Sequence, residues 1–219
     1  MTRLYFIGMD VLCAAVFVVP IALLLNVTLL KRHGFRWKAL FLMLGLYLAA
    51  VFSAVGLPDA ASLTVEFRIN AIPLIDIVSD PAGYVKNTVL NILLFLPLGF
   101  LLPFLWKRFE SAKTIFLTGL LFSAGIEFLQ IFTWRLTDVD DLITNSLGAL
   151  LGYLLFRIVP GKRKGRISET SAASVDPGHH IASERFEFPV LLTVVFLGMF
   201  FLQPIVFNTA WEWILADIL

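Results

Sequence analysis

Residues 123–153 read SAGIEFLQIFTWRLTDVDDLITNSLGALLGY. The stretch begins inside one apolar run and ends inside the next, with a polar link between them. Glu127, Gln130, Arg135, Asp138, Asp140, Asp141 and Asn145 stand at or inside the edges of segments long enough to cross a membrane. A charge in that position costs roughly 3 kcal/mol or more unless it is paired or hydrated, so such a cluster marks a functional site by default.

The rest of the chain is membrane protein in composition. Of 219 residues, 59% are hydrophobic and 15% charged, against about 25% charge in an average globular domain. The mean hydropathy is +0.88. Cys13 has no partner for an intrachain disulfide. His33, His179 and His180 all lie in polar segments, which argues against a buried His/Cys metal site. Nothing in the charge distribution suggests nucleic acid as a partner.

Six runs approach the ~20 apolar residues needed to span a bilayer: Tyr5–Leu30, Ala39–Leu57, Asn87–Trp106, Lys113–Trp134, Asp141–Val159 and Phe188–Asn208. The expected fold is therefore all-α, a polytopic transmembrane helical bundle. The third span should be broken near its middle by Pro97 and Gly99. Trp37, Trp106, Trp134, Trp211 and Trp213 fall near the span ends, as an aromatic belt would place them. Lys31, Arg32, Arg36 and Lys38 follow the first span, Lys107, Arg108 and Lys113 the third, and Lys162, Arg163, Lys164 and Arg166 the fifth. These loops share one side, which the positive-inside rule makes cytoplasmic. Both termini and the acidic cluster are then extracellular.

Four segments result. Residues 1–38 are an N-terminal span with its basic loop, 39–159 a transmembrane core, 160–187 a flexible cytoplasmic linker rich in Ser, Ala, Lys, Arg and Gly, and 188–219 a C-terminal span. Outside, Leu63–Ile69 alternates apolar and polar residues, a strand period, and turn signals follow at Asn70–Leu74 and Ser79–Gly83. A structured outer loop is expected there.

Three helices offer polar stripes at one depth. Asn87 and Asn91 are four apart, Glu127 and Gln130 three apart, and Asp138, Asp141 and Asn145 three and four apart, so each set shares a helix face. Gly148 and Gly152 form a G-x-x-x-G that permits close helix approach. Each element also has a purely structural explanation. Asp138 suits an N-cap, Asp140 and Asp141 suit the positive end of a helix dipole, and Arg135 suits an ion pair with either. Asn87 and Asn91 suit helix–helix hydrogen bonds. Glu127 is the least easily explained so, because a buried carboxylate needs a cation, a proton or a strong donor.

Four motifs occur in order: Asn70-Ala-Ile-Pro-Leu, Asn91-Ile-Leu-Leu-Phe-Leu-Pro-Leu-Gly-Phe-Leu-Leu-Pro, Ser123-Ala-Gly-Ile-Glu-Phe-Leu-Gln and Arg135-Leu-Thr-Asp-Val-Asp-Asp-Leu-Ile-Thr-Asn-Ser-Leu-Gly-Ala-Leu-Leu-Gly-Tyr. Together they closely resemble the VanZ-like family, over roughly Ala39 to Val159. The resemblance implies recurrent polar positions at Asn91, Glu127, Gln130, Arg135, Asp138, Asp141 and Asn145, with glycines at 99, 148 and 152. It further implies a bacterial cell membrane and a role at its outer leaflet, where lipid-linked cell-wall precursors and lipoglycopeptides such as teicoplanin meet.

Two chemistries fit these residues. In the first, Glu127, Asp138 and Asp141 bind a cationic or hydroxylated headgroup, Arg135 pairs with a phosphate, and the asparagines donate neutral hydrogen bonds. In the second, Glu127 and Asp141 are catalytic carboxylates with split acid and base roles on a lipid headgroup. No cofactor is expected, although Glu127 with Asp138, Asp140 and Asp141 offers oxygen ligands suited to a divalent cation. Transport is the weakest reading, because the two halves lack paired broken segments.

Overall fold

The computed structural model describes residues 2–28, 33–58, 60, 63, 69–70, 74, 76–133, 137–159 and 177–216. Among them six helices are long and apolar enough to cross a membrane. The protein is an all-α, multi-pass membrane protein. The chain divides into two compact units, one of Met1–Leu63 with Ser168–Leu219, the other of Thr64–Ile167.

The first unit holds α1 (Thr2–Thr28), α2 (Phe35–Val55), α7 (Pro177–Leu197) and α8 (Gln203–Ala216). Between α7 and α8 the backbone widens into a π-turn, Gly198–Leu202. The whole forms one span, Phe186–Thr209. α7 starts at Pro177, so helix extends back into the stretch expected to be linker; residues 160–176 lie outside the described residues. Gly56 closes α2 in the left-handed conformation (φ 63°), which a residue without Cβ adopts freely.

Two polar contacts hold this unit. Asp10 lies inside the first span, and its carboxylate accepts from Ser53 Oγ at 2.5 Å and Gln203 Nε2 at 2.6 Å. His33 Nε2 lies 3.2 Å from Glu187 Oε1, with both side chains buried. Asp10→Leu would leave two donors without their acceptor. The expected loss is about 1–3 kcal/mol, read as a lower midpoint of thermal unfolding in detergent, with Asp10→Asn falling between wild type and Leu.

Trp37 and Trp106 are fully enclosed by protein rather than facing a lipid interface. Trp37 stacks between His33 and Phe41, and Trp106 meets the edge of Phe109. Position near a span end is the same for a belt tryptophan and a packed one, so sequence alone did not separate them. Trp134 lies outside the described residues, as do the side chains of Trp211 and Trp213.

The second unit is built on α4 (Pro81–Leu105), α5 (Ala112–Gln130) and α6 (Val139–Ile158). The 25 residues of α4 extend about 37 Å, longer than the ~30 Å hydrocarbon core. It is one continuous helix with Pro97 and Pro103 inside it, and the expected break is absent. Pro97 removes one backbone donor, but the close seating of α6 against this part of α4 holds the helix in line. A Cβ on Gly99 would strike the Ala149 carbonyl, one on Gly152 the Leu96 carbonyl, and one on Gly148 would stand 2.5 Å from the Ile92 carbonyl. Contacts advance in step from Asn91–Asp141 to Phe104–Phe156, so α4 and α6 run parallel. α5 returns between their ends, from Glu110, whose carbonyl accepts from Tyr153 Oη, to Glu127 beside Asp138.

The expected outer loop is described only in part, and residues 64–68, 71–73 and 75 lie outside the described residues. Strand β1 (Ile69–Asn70) pairs in parallel with β2 (Thr137–Asp138), and α3 (Asp76–Ser79) leads to Asp80, the N-cap of α4.

Candidate functional site

α4 and α6 both start at the same end of the second unit. Asp80 caps α4 by accepting from Gly83 N–H at 3.0 Å, and Asp138 caps α6 by accepting from Asp140 N–H at 2.9 Å. Short side-chain oxygens satisfy the otherwise unpaired first donors of each helix. Between these two starts lies a cavity of about 250 Å³.

Its lining is polar throughout. α4 contributes Asp80, Gly83, Tyr84, Asn87, Thr88 and Asn91, and the start of α6 contributes Asp138, Asp140, Asp141 and Thr144. Tyr84, Asn87, Thr88 and Asn91 follow the i, i+3, i+4, i+7 pattern of a single helix face. Four of the lining residues are aspartates, and none is Lys, Arg or His.

Each carboxylate is held by a different donor. Asn91 Nδ2 donates to Asp141 Oδ1 at 2.6 Å and approaches Thr144 Oγ1 at 3.4 Å. Asp140 is buried, and its Oδ2 accepts from Leu74 N–H at 2.9 Å while its Oδ1 has no hydrogen-bond partner. Leu74 sits at φ 64°, a left-handed conformation that costs a β-carbon residue about 1–2 kcal/mol. The Asp140 bond helps to hold it there. Asp138 Oδ2 also receives a long 3.5 Å contact from Asn70 Nδ2, which the β1–β2 pairing brings alongside.

Glu127 is buried but does not line the cavity. Its Oε2 accepts from the Asp138 backbone N–H at 3.0 Å, so it secures the chain just where α6 begins. Glu127 and Asp141 therefore do not face one substrate position as an acid–base pair would. Asn145 turns away as well: its Nδ2 donates to Ser123 Oγ at 2.9 Å, and Ser123 Oγ donates to the Asp141 carbonyl at 3.3 Å. Gln130 is buried at the end of α5, outside the lining. Arg135 lies outside the described residues.

Of the expected ligand set, Asn87, Asn91, Asp138 and Asp141 meet at the cavity. Asp140, weighed only as a metal ligand or dipole partner, joins them. The expected stripe of Asp138, Asp141 and Asn145 is split, because α6 is flanked by α4 on one side and α5 on the other. Among the described residues no three His, Cys, Asp or Glu side chains converge as a metal-ligand set. Glu127, Asp138, Asp140 and Asp141 do not form one, since each carboxylate is turned to its own protein donor.

Sequence reasoning missed Asp80, Tyr84, Thr88 and Thr144. Tyr84 and Thr88 were legible as part of the Asn87–Asn91 face, but they precede or open the apolar run and were set aside with the loop. Asp10 was also missed, although a lone carboxylate four residues into the first span, Phe6–Leu25, is the same kind of signal as Glu127.

A model of the VanZ/LLP1 family matches residues 46–160, which include all of α4, α5 and α6. No curated protein and no solved structure matches the chain.

Proposed function

This chain belongs to the VanZ/LLP1 family, and on that premise we propose that its acidic cavity binds the polar headgroup of a cell-envelope molecule at the outer leaflet. The cavity between the starts of α4 and α6 carries this reading. Its sidedness is supported by the basic residues Lys107, Arg108 and Lys113, which cluster at the opposite end of the unit and favour the cytoplasm. Its scale is supported by the volume: about 250 Å³ falls just below the ~300–1,000 Å³ of pockets that enclose drug-sized ligands. A headgroup or a single sugar fits there, and a whole lipoglycopeptide does not.

Protection against teicoplanin then follows by occupancy. The protein holds either the headgroup of a lipid-linked precursor or one small substituent of the antibiotic, and so lowers the drug's access to its target. Binding is favoured over catalysis because Glu127 and Asp141 face different partners.

The test is teicoplanin and vancomycin susceptibility in a sensitive Gram-positive host at matched membrane expression. Wild type is expected to protect against teicoplanin and not vancomycin. Asp141→Asn, which weakens the charge-assisted bond to Asn91 at the cavity wall, is expected to reduce protection to that of the empty vector. Equal protection by both proteins would remove the cavity from the resistance role.

A further inference from the structure

We infer that the cavity selects a primary ammonium group, and so takes ligands with an ethanolamine-like or amino-sugar headgroup rather than a choline or a bare phosphate. The inference rests on reading the cavity as a headgroup site. It adds what chemistry that site accepts.

The lining is rich in acceptors and poor in donors. Asn91 turns its N–H groups to Asp141 and Thr144, so its remaining capacity is the carbonyl oxygen. Thr144 donates to the Asp140 carbonyl at 2.9 Å. Four carboxylates surround the space, with no lining base to neutralise them. Asp140 adds an independent sign: it is 6% exposed, and one carboxylate oxygen accepts no hydrogen bond from the protein. A buried carboxylate oxygen in that state is stabilised by a charged donor from outside the chain.

Three ligand classes can be compared. A phosphate would be repelled by the aspartates. A quaternary ammonium has no N–H to donate and relies on aromatic faces, whereas Tyr84 is the one aromatic residue in the lining. A primary ammonium carries one positive charge and three donors, which match carboxylates held on two separate helix starts. A divalent metal is disfavoured because no three carboxylates converge.

The experiment uses purified full-length protein. Ethanolamine and choline are titrated by calorimetry, and retention of phosphatidylethanolamine, phosphatidylcholine and phosphatidylglycerol from mixed nanodiscs is read by native mass spectrometry. Ethanolamine and phosphatidylethanolamine are expected to bind at least about tenfold more tightly than their choline counterparts, the size of one charge-assisted hydrogen bond. Asp140→Asn should weaken amine binding by a similar factor. Asp80→Asn should do so too, and it keeps the α4 cap because asparagine caps as well as aspartate.

Binding of free ethanolamine without lipid retention would support the ammonium preference and assign it to a soluble amine. Equal binding of ethanolamine and choline, with lipid retention still sensitive to Asp141→Asn, would overturn the ammonium preference and leave the headgroup reading standing. Preferential retention of phosphatidylglycerol would overturn it as well. If no headgroup binds and no aspartate variant changes retention, both readings fail.

Discussion

Replacing Gly152 with leucine is expected to abolish recovery of folded protein, while Gly125→Leu leaves it unchanged. Both glycines lie inside membrane-length helices, and composition does not distinguish them. At Gly152 an added Cβ meets the Leu96 carbonyl and stands 2.9 Å from Phe100 N, so the obstacle is backbone rather than a side chain that can turn aside. At Gly125 nothing lies within 4 Å. Overpacking a tight interior costs about 1–3 kcal/mol, and a leucine forced between two backbones belongs at or beyond the top of that range. Separating α4 from α6 would also open the cavity between their first turns. The measurement is monodisperse yield and thermal midpoint in detergent. If Gly152→Leu matches Gly125→Leu, the close seating of α6 on α4 is wrong. Glycine in a helix interior costs about 1 kcal/mol relative to alanine, so Gly125→Ala should leave the midpoint the same or raise it.

The second large effect is expected at Glu127, and the choice of replacement decides its meaning. Glu127→Leu removes the acceptor of the Asp138 N–H and leaves that donor unpaired at the entry to α6. An unsatisfied donor costs about 1–3 kcal/mol. The change should also loosen the start of α6, from which Asp138, Asp140 and Asp141 reach the cavity. Glu127→Gln keeps a side-chain carbonyl that can accept the same bond. Stability and headgroup retention are therefore expected to fall in the Leu variant and largely survive in the Gln variant. Equal loss in both, with unfolding midpoints unchanged, would mean that the negative charge itself is used, and would revive an acid–base role for Glu127.

These two residues show where sequence and structure part. Glu127 stood out in the sequence because a carboxylate inside an apolar run must be compensated, but that rule does not say by what. The structure supplies a backbone amide, which makes the residue a positioning group for its neighbours. Tyr84 and Thr88 were passed over because they sit where α4 emerges from the apolar run; a helix longer than the hydrocarbon core carries its face of polar side chains beyond it. Asp10 was passed over because its partners, Ser53 and Gln203, are distant in sequence and individually ordinary in a membrane helix.

By itself the sequence determined the number and kind of elements. Six apolar runs of bilayer length in a solvent that offers no hydrogen bonds can only be helices, and the basic loops point to their orientation. The ordered motifs identified the family. Which glycines are contacts, which tryptophans are packed inside, and which aspartates meet across a cavity were decided by tertiary structure alone. Helical periodicity assigns a residue to a face, but a helix packed between two others has two protein-facing sides. α6 shows this: Asp141 and Thr144 turn to α4, while Asn145 turns to α5. The choice between neighbours is made by the closest approach of backbones, which the glycines allow and only the folded chain specifies.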